Sequence, residues 1–290
     1  MKKMLLLLAL AIAAFSGCVE EEPSAEDLKL MMVASVETAD TYRFSMEMNQ
    51  IMSVVNHSET NETLQTMTFT TQSSGVGAID MLAPAMNTVM DTTTSSELSE
   101  PVTQEIEMYM ISDTIYTKIE GNWTKMEGLP MDSWDKQNIM KSQMELFNSS
   151  EFELIGSEKV NGEDSYKLKI VPDMETFSTI VGEQMGSMMP VQFTNITEIF
   201  EESEMKQTIW LSKESKLPLK AELDMKMKLT PELMGLPREM VGDVEMDLES
   251  SATVLYYDYN EPVEIELPPE AASAPSFLEM MMMSMMPPAE

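Results

Sequence analysis

Three kinds of residue in this chain are candidates for chemistry: one cysteine, Cys18, one histidine, His57, and thirty-three methionines. His57 sits in the polar phrase "NHSET" and reads as a solvated loop residue. A Ser-His-Asp triad would have to use it, and no Gly-x-Ser-x-Gly elbow is present to present a nucleophile. Zinc hydrolysis needs several His, Cys or carboxylate ligands around an open position, which a single histidine hardly supports. The 11 glycines form no phosphate-cradling loop. Carboxylates are so abundant that no pair stands out as an acid/base couple. The reading is therefore non-enzymatic, with no cofactor and no metal centre of the usual kind.

Cys18 has a clearer context. Lys2 and Lys3 precede an apolar run from Met4 to Phe15, and Ser16-Gly17 lead directly into the cysteine. A positive start, an apolar stretch and small residues make an export signal. The run is well short of the ~20 residues that cross a bilayer as a helix. Small residues before a cysteine resemble the lipobox of prokaryotic lipoproteins, although Phe15 stands where leucine is commoner. The resemblance implies a lipoprotein signal peptide at 1–17 and a lipid on the Cys18 sulfur. An acidic, proline-broken tether follows at 18–23. Stable anchoring takes more than one acyl chain, which lipoprotein diacylation supplies. The competing reading is an ordinary secretory signal, but no second cysteine exists to pair with Cys18. The expected place is the extracytoplasmic face of the cell membrane.

The chain has 18 Lys and Arg against 50 Asp and Glu, a net charge of −32. Such a surface does not neutralise phosphates, so nucleic acid is excluded as a partner. Anionic headgroups would repel it too, which leaves membrane attachment to the Cys18 lipid. An apolar fraction of 43% nevertheless argues for a folded core and not an acidic disordered chain. A monomer is expected. Five Asn-x-Ser/Thr sequons, at Asn56, Asn61, Asn122, Asn148 and Asn195, are candidate glycosylation sites.

These residues must be positioned by elements that the hydrophobic period reveals. Ser24-x-x-Asp27 resembles a capping box, and Leu28, Met31, Met32 and Val36 follow at helical spacing to about Ala39. The period then becomes two: Tyr42, Phe44, Met46 and Met48 alternate with Arg43, Ser45, Glu47 and Asn49. Threonine-rich strand segments are expected at Leu64–Thr71, Gly75–Met81 and Asn87–Leu98. A meander runs from Glu105 to Met126 with turns at Ser112-Asp113 and "EGNW". Asp132 opens a helix to about 147, and Asn161-Gly162 turns a hairpin. Asp173 starts a second helix to about 189. Strands return through Leu211, Leu229 and Val254. About ten strands and three helices make an α+β fold spanning 24–268, with a Met/Pro-rich flexible tail at 269–290.

The phrases "YMISDTIYTKIEGNWTKM", "ELIGSEKVNGEDSYKLKIVPD", "IWLSKESKLPLKAELDM" and "YYDYNEPVEIELPPE" occur in this order. They resemble the LolA/LppX-like lipoproteins, over roughly residues 26–268. The resemblance implies a strongly curved antiparallel sheet, a half-open β-barrel, with helices plugging its concave face. It also implies an apolar cleft that takes acyl chains, in proteins that carry lipids or lipoproteins across an aqueous gap. This chain departs in being itself anchored, and the family defines its cleft by shape, so no ligand residue transfers by motif.

The methionines admit three readings. They are core filler standing in for leucine, or a deformable apolar cleft, since the unbranched thioether adapts to irregular ligands, or soft ligands for Cu(I). Met-x-Met on a strand places two sulfurs on one face with Cα atoms about 7 Å apart, and the tail run Met280–Met283, Met285 and Met286 is the better candidate for Cu(I). The cleft reading nominates Phe44, Met46, Met108, Met110, Met140, Met144, Phe177, Val181, Met225 and Met227, with the two middle helices as gates. The expected partner is then a lipid or acylated ligand. The alternative from another class is a non-transporting surface or sensor module with a filled interior that binds a protein partner.

Overall fold

A computed structural model describes residues 22–57, 63–127, 139–180, 199–200, 203–231, 233 and 244–276, without the side chains of 57, 63–65 and 139–143. Cys18, Asn61 and Asn195 therefore lie outside the described residues, as do the side chains of His57, Met140 and Val181.

The chain begins with α1 (Ala25–Val36). The capping box closes as expected: the Ser24 hydroxyl accepts from the Asp27 N–H at 3.1 Å, and the Ser24 N–H donates to the Asp27 carboxylate at 3.2 Å. The helix stops before Ala39 because the last turn tightens, with Thr38 and Ala39 bonding back only three residues. Leu28, Met32 and Val36 are buried, whereas Met31 is 43% exposed. The seam is thus narrower than the sequence spacing suggested.

Six strands follow: β1 (Thr41–His57), β2 (Thr63–Asp80), β3 (Ala85–Ser96), β4 (Ser99–Ile111), β5 (Thr114–Ile119) and β6 (Asn122–Met126). After α2 (Ile139–Ser149) come β7 (Glu151–Val160), β8 (Glu163–Val171), β9 (Glu204–Ser212), β10 (Pro218–Leu229) and β11 (Val244–Tyr257), and finally α3 (Pro269–Ala272). A further helical segment covers 174–180. All eleven strands form one antiparallel sheet in the order β6-β5-β4-β3-β2-β1-β11-β10-β9-β8-β7. It is two meanders joined where the first strand pairs the last, and its edges, β6 and β7, are unpaired with each other.

The sequence pattern separates Leu64–Thr71 from Gly75–Met81 at a small polar phrase. The structure fuses them into β2, because β1 on one side and β3 on the other hold every residue of that phrase in register. The predicted turns hold. Ser112-Asp113, Glu120-Gly121 and Asn161-Gly162 are two-residue loops. Ser112, Glu120, Gly121, Asn161 and Gly162 take positive φ there.

Curvature follows from the core. Laid flat, eleven strands would span about 48 Å. Yet one cluster contains Leu28 and Met32 of α1, Phe147 of α2, Ile115 of β5, Tyr42 of β1 and Leu168 of β8, with Met126 of β6 and Phe152 of β7 packed against it. Both edge strands pack on the cluster that contains this helix, as they do when the sheet curls around it. Gly75 and Gly77 of β2 are points where neighbouring groups approach the backbone closely. A Cβ on Gly77 would stand 2.4 Å from the Phe44 ring and 2.5 Å from the Asn87 carbonyl oxygen. One on Gly75 would meet Met90 and the Val89 carbonyl oxygen, each at 2.5 Å.

The packed body also extends past the expected boundary at 268. Ala271 and Ala274 are buried, the Lys125 N–H donates to the Pro275 carbonyl at 3.0 Å, and Ser276 bridges Lys125 in parallel. Residues 269–276 thus cover the β6 edge. The Pro/Ala/Ser composition hid this, because the contact uses backbone groups and small side chains.

Candidate functional site: the concave face of the sheet

Register fixes which side chains share a face, since directly opposed residues of an antiparallel sheet point the same way. The inner face carries Tyr42, Phe44 and Met46 of β1 and continues with Met48, Gln50, Met52 and Val54. Three zones stack along it. At the base, Tyr42, Ile79, Met86, Met110, Ile115 and Met126 form one row across β1 to β6. All of them belong to the main core or pack on it. Phe44, Met46 and Met108 extend that packing.

Next comes a belt of uncharged polar groups. Thr94, Thr71, Gln50 and Ser250 align across β3, β2, β1 and β11, beside Thr92 and Ser73. Ser73 and Thr92 hydroxyls lie 3.0 Å apart, and those of Thr71 and Thr94 3.4 Å apart. Beyond the belt the face turns apolar again. Phe69, Met52, Leu248 and Met227 form one row, and Met67, Val54, Met246 and Leu229 the next. Every residue of this outer apolar zone is half-buried. Met225 opposes Met205 where the belt ends.

The convex face has a different chemistry. Lys226 pairs with Glu249 at 2.7 Å and Lys228 with Glu245 at 2.5 Å across strands. The hydrogen bond to Glu249 raises the Lys226 pKa. Shallow grooves of about 240 to 530 Å³ run between these charged ladders and contain residues such as Asp224 and Asp247. Asn49 Oδ1 is, among the described residues, the buried side-chain polar atom without a hydrogen-bond partner. Trp210 is buried on this side, donating to Glu158 at 2.6 Å between the ammonium groups of Lys167 and Lys220, 4.7 and 4.5 Å from its ring.

The nominated cleft residues thus divide. Phe44 and Met110 are buried in the base; Met46, Met108 and Met144 pack on it. Met225 and Met227 lie half-buried on the inner face, beyond the base. Phe177, on the 174–180 segment, packs edge-to-face on Phe200 with centroids 4.8 Å apart. That segment opens with the Asp173 carboxylate accepting the Thr176 N–H at 2.8 Å, which lowers the Asp173 pKa. Sequence reasoning missed Met52, Phe69, Leu248 and Met246. The period-two signal was there, but only the cross-strand register shows that they form one patch. Burial pushes the Tyr42 and Tyr259 phenols well above the ordinary tyrosine range, so neither offers an acid or base near neutrality. Among the described residues, no group of three His, Cys, Asp or Glu side chains could hold a metal ion. Of the sequons, Asn56, Asn122 and Asn148 are exposed.

This architecture defines a class: an open, curled antiparallel sheet with helices inside it and an apolar concave surface. Residues 24–276 match the family of unknown function DUF6612, and the chain belongs to that family. No curated protein matches it in sequence. Among solved structures, the lipoprotein LppX of Mycobacterium tuberculosis matches at 11% identity, over 84% of this chain and 100% of that one, with a TM-score of 0.43. LprF of Mycobacterium bovis matches at 9% identity, over 85% and 99%, with a TM-score of 0.42. A LolA superfamily protein of Nitrosomonas europaea matches at 10% identity, over 85% and 96%, with a TM-score of 0.23.

Proposed function

We propose that the protein is a non-enzymatic, extracytoplasmic lipid binder. It is tethered through a lipid on Cys18 and holds an acyl chain, a lipid or an acylated protein against its concave face. The observation that carries the reading is the outer apolar zone. Eight apolar side chains on four adjacent strands stand half-buried on the inner face. The opposite face of two of these strands, β10 and β11, carries paired charges. Apolar surface held partly open is costly unless something covers it. Removing acyl surface from water contributes about 0.8 kcal/mol per buried CH₂. Methionine suits an occupant of irregular shape, because its thioether is polarizable and its rotamers are many.

The test is direct. The protein is purified without detergent from a membrane-bearing host, weighed intact by native mass spectrometry, and extracted with organic solvent. The expected result is bound lipid in the wild type and its loss in Met227→Asp/Leu248→Asp, with the strand signal in circular dichroism unchanged. An empty mass that also refuses added lipid would overturn the reading in favour of a surface module that binds a protein partner.

A further inference from the structure

The belt across the concave face has a composition that bears on the ligand. We infer that the bound lipid carries an uncharged polar group, with ester, ether or hydroxyl oxygens, seated at Gln50, Thr71, Ser73, Thr92, Thr94 and Ser250. This deepens the lipid-binding reading above and rests on it.

Two observations carry it. First, the described inner-face residues of the belt and outer apolar zone on β1, β2, β3, β10 and β11 include no charged side chain. An ionised carboxylate or phosphate placed there would lose water without gaining a cation, a heavy cost. The chain's net charge of −32 adds a long-range penalty for any anion. Second, the polar groups are neutral hydroxyls and amides that interrupt an otherwise apolar surface. In each hydroxyl pair, Ser73 with Thr92 and Thr71 with Thr94, one O–H is spent on the neighbour and the other stays available. A fully apolar chain lying across the belt would leave those donors unmatched. A lipid with neutral oxygens part-way along it satisfies them while its hydrocarbon covers Phe69, Met52, Leu248 and Met227.

The test uses the full chain and two probes with one and the same acyl chain, radiolabelled monooleoylglycerol and oleate, at mildly alkaline pH where the oleate is ionised. Retained label is counted after removal of free lipid. Monooleoylglycerol should be retained about tenfold better than oleate, a difference of about 1.4 kcal/mol. In Thr71→Val/Thr94→Val, which keeps the β-branched shape and so the strands, that preference should fall about tenfold. Equal retention of both probes by the wild type would overturn the inference while leaving the lipid-binding reading standing. So would a double variant as selective as the wild type. Retention of neither probe would overturn the lipid-binding reading itself.

Discussion

The two ends of the same sheet differ in what their inner faces meet. At the base, Leu28 and Met32 of α1 are fully buried against Leu168, Ile170 and Ile209, and the apolar rows are consumed in packing. Toward the far end, Met52, Phe69, Met227 and Leu248 have the same alternation and similar composition, yet stay half-buried. Composition alone does not separate a core from a binding surface. What separates them, among the described residues, is that Leu28 and Met32 of α1 and Phe147 of α2 share a cluster with the base rows and not with the far ones.

The largest effects should come from the base. Leu168→Ala removes a fully buried side chain and should cost about 2–5 kcal/mol in urea unfolding. A loss below about 1 kcal/mol would mean that the base is not the stable half. Gly77→Ala forces a methyl against Phe44 and the neighbouring strand and should cost about 1–3 kcal/mol. A neutral result would show that the close approach at Gly77 is easily relieved. Ser24→Ala breaks the capping box and should cost about 1 kcal/mol. Met227→Ala, at the far end, should cost less than about 1 kcal/mol while weakening lipid retention. A large stability loss there would erase the contrast between the two ends.

Alkali sharpens the same comparison. The Tyr42 and Tyr259 phenols are buried neutral, and their folded pKa values lie above the unfolded value of about 10. Their contribution is therefore fully present below that pH and is lost as pH rises through and beyond it. Thermal melts should show stability falling above about pH 10, and Tyr42→Phe should shrink that fall. An unchanged fall in Tyr42→Phe would assign it to other groups.

Much of the fold was legible in the sequence, because its signals are local. The Ser24/Asp27 cap, the Asn161-Gly162 turn and the alternation from Tyr42 all name their own conformation. The fused β2 was not, since Ser73-Ser74-Gly75 looks like a turn until neighbouring strands occupy both its edges. The candidate site was half legible. Met225 and Met227 announce an apolar face, but their alignment with Leu248, Met52 and Phe69 depends on pairing β1 with β11 across some two hundred residues, which no local pattern encodes.

That pairing governs how the molecule is made. The central seam joins Phe44 to Tyr256 and Asn56 to Val244, so the sheet cannot be completed until nearly the whole chain is available. Contacts this distant in sequence slow folding and prolong the life of open strand edges. The β1–β6 meander, built from short turns, can form early, with one side of β1 waiting for β11. Pulse-labelled hydrogen exchange should protect β3–β5 amides before those of β11. The last strand to arrive is thus the one that turns two half-sheets into a single trough.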